Sequence, residues 1–260
     1  MTGEAPPFWW EKPDWRALAL SPLSGAYGLV AARRMISARR RKLPVPVLCV
    51  GNFTVGGAGK TPAVITLADA ARAAGRQPGI LSRGYGGSLS RPHVVDPAHD
   101  SARHVGDEPM LLAAHAPVAV TPDRAAGARL LIDAGCDFLL MDDGFQSARL
   151  QFDYALLVVD ARRGLGNGFS IPAGPMRAPL ISQLRFTDAV LAIGEGNGAE
   201  DVVRMAARAG RSVYGATIQP RDQDRLSGRR LFAFAGIGDP EKFFETLRRA
   251  GCDPVATRGF

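Results

Sequence analysis

The chain has 260 residues, of which 46% are hydrophobic and 22% are charged, so the composition argues against disorder and allows one large α/β domain with part of another. A short basic segment, residues 33–42, supplies much of the formal net charge of +7 and indicates a local partner surface. The three cysteines lack metal-ligand spacing and lie in or beside apolar runs, which is typical of a reduced protein without a disulfide framework.

The first 44 residues differ in composition from the rest of the chain. Phe8-Trp9-Trp10 and Trp15 lead into an uncharged stretch that Pro22 interrupts, and the basic segment follows. The stretch is shorter than the roughly 20 apolar residues that a bilayer-spanning helix needs. Tryptophans at one end and basic residues at the other predict a helix that lies on, or dips into, a membrane surface with anionic lipid. The alternative is a helix packed on the domain with a solvated basic face.

A glycine-rich loop separates a predicted strand, residues 45–50, from a predicted helix, residues 63–75. In this context, typical of a phosphate-binding loop (P-loop), glycines turn backbone N–H groups toward a polyphosphate and the helix start adds its positive dipole end. The predicted nucleotide-binding residues are Thr54, Val55, Gly56, Gly57, Ala58, Gly59, Lys60 and Thr61. Lys60 is expected to reach the β and γ phosphates of ATP, and the Thr61 hydroxyl to hold Mg²⁺.

The loop departs from the G-x-x-x-x-G-K-T pattern, because Thr54 stands where the first glycine is expected. Its G-G-x-G-K-T order is similar to the variant loop of the partitioning-ATPase-like branch of P-loop proteins. That branch normally has a signature lysine just before the paired glycines, and this chain has Val55 there. A membrane-associated regulatory ATPase of the partitioning type is therefore the alternative hypothesis, and Val55 argues against it.

From residue 45 onward, predicted helices alternate with strands that are runs of consecutive apolar residues. This pattern predicts an α/β fold class, a P-loop NTPase fold with a mostly parallel sheet flanked by helices. Beyond the P-loop helix, the predicted strands are 79–81, 93–95, 117–120, 138–141, 154–159, 189–193 and 212–218, and the predicted helices are 107–116, 123–134 and 199–209.

The chain is predicted to contain four parts. They are an N-terminal membrane-associating segment (1–44), the P-loop domain (45–218), a polar linker (219–230) and a second α/β unit (231–260). The sequence of the second unit predicts a strand, a helix and the start of another strand. Because a domain that ends one strand into its fold would leave an unpaired edge, we expect this unit to be part of a smaller, truncated domain.

Acidic residues follow two apolar strands and open one helix. Asp142 and Asp160 each end a strand, and Asp143 follows Asp142 directly. We favour Asp142 over Asp160 as the Mg²⁺ ligand, because a paired site can bind the metal and also engage water or nucleotide. Asp107 opens a helix at the sheet rim, where it could accept the proton of an attacking hydroxyl. Helix capping is the alternative role for Asp107.

Three arginines, Arg83, Arg124 and Arg177, lie in loops or at element ends that follow strands. Oxyanions bind at this position in open α/β sheets, so each arginine is a candidate substrate contact. A solvated surface arginine is the alternative in each case. The basic segment lacks interleaved aromatic residues and a recognised binding fold, so no nucleic acid partner is predicted.

Five motifs occur in order along the chain. They are Gly51-Asn52-Phe53-Thr54-Val55-Gly56-Gly57-Ala58-Gly59-Lys60-Thr61-Pro62, Ser82-Arg83-Gly84-Tyr85-Gly86, Val105-Gly106-Asp107-Glu108-Pro109, Asp142-Asp143-Gly144-Phe145-Gln146, and Gly166-Asn167-Gly168 through Pro172-Ala173-Gly174-Pro175-Met176-Arg177. Together they resemble the tetraacyldisaccharide 4′-kinases of lipid A biosynthesis. The resemblance covers nearly the whole chain, and five ordered motifs are far more specific than any single one.

The resemblance implies transfer of the γ-phosphoryl group of ATP to the 4′-hydroxyl of a tetraacyldisaccharide 1-phosphate, at the cytoplasmic face of the bacterial inner membrane. It also implies that Asp107 is the catalytic base, that Lys60 and Thr61 serve the nucleotide and Mg²⁺, and that Asp142 and Asp143 act around the metal. The implied contacts to the lipid substrate are Arg83, Arg124, Gln146 and Arg177. The N-terminal segment would dock on an anionic membrane surface.

The chain departs from the family pattern in two respects. Many family members have histidine after the Asp-Asp-Gly-x-Gln motif, and this chain has Ser147, to which we assign no role. The family also places a histidine partner of the catalytic aspartate in its C-terminal domain, beyond Phe260. The resemblance therefore supports the expectation that the sequence is a fragment, in which Asp107 lacks this partner.

Overall fold

The structure is a computed structural model that describes residues 5–147, 149–219, 228–236 and 240–259. Its described strands form one eight-stranded sheet and one two-stranded sheet. The first sheet contains β1 (Val47–Asn52), β2 (Pro78–Ser82), β3 (His93–Val94), β4 (Val118–Val120), β5 (Phe138–Asp142), β6 (Tyr154–Asp160), β7 (Ala189–Ile193) and β8 (Ser212–Ala216). The second contains β9 (Arg230–Ala235) and β10 (Asp253–Gly259).

Helices connect the strands, and a short 3-10 helix, Pro7–Trp9, precedes them all. The α-helices are α1 (Trp15–Ser37), α2 (Lys60–Ala73), α3 (Ala102–Val105), α4 (Asp107–Ala113), α5 (Arg124–Asp133), α6 (Leu180–Leu184), α7 (Glu200–Arg208) and α8 (Pro240–Arg249). Asp123 caps α5 as the sequence predicts, because its side chain accepts hydrogen bonds from the backbone N–H groups of Ala125 and Ala126.

The strand order of the large sheet is β3-β4-β2-β5-β1-β6-β7-β8, and its neighbours are parallel except for β3, which pairs antiparallel with β4. The prediction of a mostly parallel α/β sheet is therefore confirmed. Because β2, β5 and β1 are neighbours, the loops at their carboxyl ends meet at one edge of the sheet. Those loops carry the P-loop, the aspartate pair and Arg83.

The apolar residues of the central strands alternate between two cores, one on each face of the sheet. Cys49, Met141 and Leu157 belong to one core, and their chain neighbours Val50, Leu140 and Val158 belong to the other. Burial on both faces explains why these strands are continuous apolar runs.

Helix α1 extends from Trp15 to Ser37, although Pro22 lies inside it. A proline has no N–H, so the helix loses the bond that residue 22 would otherwise donate to the carbonyl of Leu18. The hydroxyl of Ser21 donates a hydrogen bond of 2.7 Å to that carbonyl. This local replacement explains how the helix continues through a residue expected to interrupt it.

The structure differs from the sequence predictions in a few details. The predicted helix 107–116 is shorter, and a separate turn of helix, α3, precedes it across Gly106, whose φ of 97° ends one helix before the other begins. The strand near residue 93 is the antiparallel edge strand β3. Residues 220–227 of the predicted linker and 237–239 of the second unit lie outside the described residues. The domain boundaries stay predictions, while the last strand, β10, pairs with β9.

Gly51 and Gly25 predict opposite effects of adding one methyl group. A Cβ on Gly51 would lie 2.6 Å from Cβ of Phe145 and 2.9 Å from Cδ2 of Leu157, whereas a Cβ on Gly25, inside α1, would meet nothing within 4 Å. Gly51→Ala should therefore lower the free energy of unfolding by about 1–3 kcal/mol. Gly25→Ala should raise it by about 0.5–1 kcal/mol, because alanine is the better helix former. Denaturant titration measures both, and two changes of the same sign would contradict this packing.

Candidate active site

The P-loop follows β1 and leads into α2, which begins at Lys60. Gly56 and Gly59 have φ angles of 99° and 92°, which other residues rarely adopt. A Cβ on Gly59 would also lie 3.1 Å from Cδ1 of Ile193. Gly56 and Gly57 are exposed, so the turn presents its backbone at the sheet edge, directly before the positive end of α2. The loop thus has the backbone form that an anion site requires.

Residues 167–177, here called the clamp segment, hold the first half of the P-loop in place. The N–H of Val55 donates to the carbonyl of Pro175 at 2.8 Å, and the N–H of Arg177 donates to the carbonyl of Phe53 at 3.0 Å. The guanidinium Nε of Arg177 donates to the carbonyl of Thr54 at 3.1 Å. Thr54 is buried and the N–H of Val55 is engaged, so their placement supports loop positioning in place of the predicted nucleotide contact.

The turn after β5 joins the acidic pair to the P-loop. Asp143 has a φ of 48°, an uncommon left-handed conformation, and its N–H donates to the carbonyl of Val50 at 3.0 Å. Its two carboxylate oxygens accept from the two terminal nitrogens of Arg177 at 2.8 and 3.1 Å. The ammonium of Lys60 lies 3.7 Å from the same carboxylate. Lys60, Asp143 and Arg177 therefore form one charged cluster beside the P-loop.

The two adjacent aspartates have opposite electrostatics. Burial raises the pKa of Asp142 to about 7, with the nearby Glu108 carboxylate adding to the effect. Burial would also raise the pKa of Asp143, but the charges of Lys60 and Arg177 hold it below its usual value. Asp142 is 2% exposed, and its Oδ1 atom has no hydrogen-bond partner in the described part of the chain. A buried carboxylate oxygen of this kind gains from a cation beside it.

Arg124 is buried behind the aspartate turn. Its side chain is 4% exposed, and its guanidinium donates to the carbonyls of Leu81 at 3.3 Å, Asp142 at 3.1 Å and Asp143 at 3.1 Å. These bonds join the ends of β2 and β5, so Arg124 supports the aspartate turn from inside. They favour a structural role for Arg124 over the predicted substrate contact.

Gln146 is also directed into the protein. Its Nε2 donates to the carbonyl of Asn52 at 2.9 Å and to Oε1 of Gln183 at 3.0 Å. Gln183 is fully buried, and its Nε2 donates to the carbonyls of Phe53 at 3.2 Å and Ala178 at 2.7 Å. The two amides connect the P-loop strand to α6, and the predicted substrate contact of Gln146 is not supported. A glutamine in a short, mostly apolar helix was the only sequence signal for Gln183, and it was missed.

The first turn of α4 reaches the first turn of α2. The hydroxyl of Thr61 donates to the carboxylate of Glu108, 47 residues away. Asp107, the residue before Glu108, is exposed at the same rim. Gly106 also lets the loop after β2 lie close to the start of α4, because a Cβ there would lie 2.7 Å from the carbonyl oxygen of Tyr85. The structure thus places Asp107 and Glu108 beside the P-loop, with Arg83 exposed in the loop after β2.

Asp160, the competing metal candidate, already has partners. One oxygen accepts from the backbone N–H groups of Arg162 and Arg163 at 2.8 and 3.2 Å, and the other accepts from the ammonium of Lys242 on α8 at 2.6 Å. These donors hold the pKa of Asp160 below its usual value despite its burial. This arrangement supports the preference for Asp142.

The described residues contain no group of three or more His, Cys, Asp or Glu that would form an all-protein metal cage. A divalent cation held by one or two carboxylates and by phosphate oxygens does not need such a cage. The edge therefore combines a glycine-rich backbone turn, a helix start, a lysine and a buried carboxylate. This combination is suited to binding and transferring a phosphoryl group.

Comparison with known proteins agrees with this chemistry. The LpxK family profile, described as tetraacyldisaccharide-1-P 4′-kinase, matches residues 16–260. Proteins named tetraacyldisaccharide 4′-kinase are similar over the whole chain, with 62% identity in Mesorhizobium japonicum and 61% in Brucella ovis, and the chain covers 76% of each. A crystal structure of LpxK from Aquifex aeolicus in complex with ATP aligns with a TM-score of 0.77 and 28% identity, covering 94% of this chain and 81% of that one.

Because Asp142 is buried, we expect Asp142→Asn to increase thermal stability in a pH-dependent way when divalent cations are absent. A carboxyl whose folded pKa is raised stabilises least above that pKa, so the parent loses stability as the pH rises from about 4 to about 7. The amide variant lacks this loss and should melt higher at pH values above about 7, with the difference vanishing at acid pH. A gain of about 1 kcal/mol in the free energy of unfolding corresponds to a rise of ~2–4 °C in the melting temperature.

Thermal melting in EDTA across this pH range measures the effect. Asp143→Asn is the matched control and should melt lower than the parent at neutral pH, because it removes the ion pair with Arg177. Identical melting of the parent and Asp142→Asn above pH 7 would contradict the buried, unpartnered carboxylate.

Proposed function

The chain belongs to the tetraacyldisaccharide 4′-kinase family, and on that premise we propose which of its residues carry the reaction and where the protein works. It is a P-loop kinase that uses ATP to phosphorylate the 4′ position of a tetraacyldisaccharide 1-phosphate in lipid A biosynthesis. The contact of Thr61 with Glu108 carries the proposal, because it brings the start of α4 and its acids to the P-loop.

The residues around the P-loop fit a magnesium ion. Asp142 offers a buried carboxylate oxygen that accepts no hydrogen bond from the described residues, and the Thr61 hydroxyl lies at the start of α2 with the Glu108 carboxylate. These are the hard oxygen ligands that Mg²⁺ prefers. We therefore assign Thr61 and Asp142 as the residues that would hold Mg²⁺, with Glu108 beside them. When bound, the ion neutralises charge on the β and γ phosphates.

The remaining residues position the phosphoryl group and move a proton. The exposed glycine turn and Lys60 bind the phosphates, and Asp143 keeps the Lys60 ammonium directed to this edge. Asp107 is exposed at the rim and accepts the proton of the attacking 4′-hydroxyl. Arg83 is the remaining exposed candidate for an anionic group of the acceptor. Positioning and charge neutralisation supply most of the catalysis in phosphoryl transfer.

Helix α1 has the surface that a membrane-bound acceptor requires. One face packs on the protein through Ala17, Ser24, Gly28 and Met35. The opposite face is an apolar stripe of exposed residues at helical spacing, and its large members are Trp15, Leu18, Leu23, Leu29, Val30 and Ile36. Within the described residues, the structure contains no helix that meets the length and hydropathy needed for a membrane span. We propose that α1 lies in the interface with this stripe in the lipid.

The basic segment, residues 33–42, begins in the last turns of α1 and continues beyond it, and most of its charged side chains are exposed. Arg40 is the exception, because its guanidinium stacks on Phe152 and Phe186 at 4.9 and 4.7 Å from the ring centroids. The exposed members are Arg33, Arg34, Arg39, Arg41 and Lys42. Beside an apolar stripe, these charges favour the anionic cytoplasmic face of the bacterial inner membrane.

The alternative hypothesis, a regulatory ATPase of the partitioning type, does not agree with the family assignment. The residue before the paired glycines is Val55, and its N–H is bonded to Pro175. The clamp segment therefore supports the loop at Val55, and the signature lysine of the partitioning type does not stand at this position. The kinase function therefore replaces that hypothesis.

Asp107→Asn should separate proton transfer from nucleotide binding. The amide cannot accept the proton of the hydroxyl, so kcat should fall by about 10²–10⁴-fold while ATP affinity changes little. Glu108→Gln, one residue away, should instead raise the Mg²⁺ concentration needed for half-maximal rate. Transfer of labelled phosphate and a separate ATP-binding titration measure these effects. Full activity of Asp107→Asn would remove Asp107 from the base role.

Leu29→Asp should weaken membrane binding without changing the fold. Leu29 is 71% exposed on the apolar stripe, so replacing it with a charged residue removes little packing within the folded protein. The charge does oppose insertion of the stripe into lipid. Losing one buried leucine in the lipid costs about 1.5–3 kcal/mol, a tenfold or greater drop in partitioning. Sedimentation with vesicles that contain anionic lipid measures it, and high salt should also weaken binding. Tyr214→Asp, an exposed residue on β8, is the control. Equal binding of both variants would exclude α1 as the docking surface.

A further inference from the structure

The backbone of Phe8 and the backbone and side chain of Trp9 are bonded to the clamp segment. The N–H of Asn167 donates to the carbonyl of Trp9 at 2.7 Å, and its side chain donates to the carbonyl of Phe8 at 3.2 Å. The indole N–H of Trp9 donates to the carbonyl of Pro172 at 3.0 Å. Gly166 completes the contact, because a Cβ there would lie 2.3 Å from the carbonyl oxygen of Trp9.

The clamp segment also supports the P-loop, through Pro175 and Arg177. It contacts α1 as well, at Ser170. The hydroxyl of Ser24, in the middle of α1, donates to the carbonyl of Ser170 at 2.8 Å, and both residues are buried. A Cβ on Gly28 would lie 3.2 Å from Cγ of Pro179, just beyond the segment. The N-terminal residues and the phosphate loop are therefore supported by one short piece of chain.

Trp10 extends this connection to the phosphate loop itself. Its ring atom Cζ2 lies 3.8 Å from the position that a Cβ on Gly56 would take, which is van der Waals distance. The guanidinium of Arg163 lies 5.1 Å from the Trp10 ring centroid. The indole thus faces Gly56, the residue whose φ of 99° forms the exposed turn of the loop, with space for about one methyl group between them.

We propose that Trp10 is a positioning residue for the phosphate loop, through which the docked N-terminal segment supports ATP binding. The indole limits the space into which the Gly56 turn can move, so the turn is preorganised before the nucleotide arrives. A loop that has to be ordered on binding gives a lower affinity for the phosphates, because the ordering cost is subtracted from the binding energy. The proposal rests on ATP use by this site, as the proposed function does. It assigns no contact to the lipid acceptor.

Kinetics of Trp10→Ala and Trp10→Phe test this role. Trp10→Ala should raise the KM for ATP about tenfold, with a smaller change in kcat and an unchanged KM for the acceptor, whereas Trp10→Phe keeps a flat ring and should stay within about threefold of the parent. Tyr214→Ala is the control, since Tyr214 is an aromatic residue that is 52% exposed on β8, and it should leave the KM for ATP unchanged. An unchanged KM for ATP in Trp10→Ala, or an equal rise in Tyr214→Ala, would overturn the proposal.

Fluorescence tests the proposal without the transfer reaction, in a variant that keeps the bonds of Asn167 to the carbonyls of Phe8 and Trp9. The chain has three tryptophans, so Trp9→Phe with Trp15→Phe leaves Trp10 as the single emitter. Titration with Mg·ATP should change the Trp10 emission, and the same titration of a variant that also carries Lys60→Ala should not. This signal is independent of phosphate transfer, so it separates failure of the positioning role from failure of the proposed kinase function. Emission that stays constant while ATP binds would overturn the role of Trp10.

Discussion

The ion pair between Arg177 and Asp143 is the interaction on which the rest of the site depends. The guanidinium binds both oxygens of the carboxylate and the carbonyl of Thr54, so it ties the turn after β5 to the P-loop after β1. It also keeps Asp143 ionised beside Lys60, with the pKa of Asp143 lowered although the group is partly buried. Two loops that meet only because their strands are neighbours are thereby held in one arrangement.

Much of the fold could be predicted because its signals are local. Apolar runs identified the parallel strands, and Asp123 identified a helix start, because both effects act within a few residues. The P-loop and the aspartate pair could be predicted for the same reason. The short helix α3, Ala102–Val105, was not predicted, because four residues are too few to show a helical period.

Side-chain partners were harder to predict than motif positions. Arg124 and Gln146 lie where the sequence suggested substrate contacts, yet both are directed to backbone carbonyls inside the protein. The type of residue does not reveal this direction, because guanidinium and amide groups bind carbonyl oxygens as readily as phosphates. The contact of Thr61 with Glu108 joins residues 47 positions apart, and only the strand order brings them together. The sequence therefore predicted the position of the site better than the role of each residue in it.

Helix α1 and the P-loop are supported by the same piece of chain. One face of α1 bears the exposed apolar stripe, and the other is packed on chain that leads directly to Arg177. Under the proposed docking of α1 on a membrane, this shared support would set the position of the P-loop relative to the lipid surface.

The most direct measurement of the central claim is the transfer of labelled γ-phosphate from ATP to tetraacyldisaccharide 1-phosphate by the intact protein in detergent micelles, with the position of the label determined in the product. The account predicts label at the 4′ position, dependent on Mg²⁺ and on Lys60. Hydrolysis of ATP with no labelled lipid, or label at another position, would contradict it.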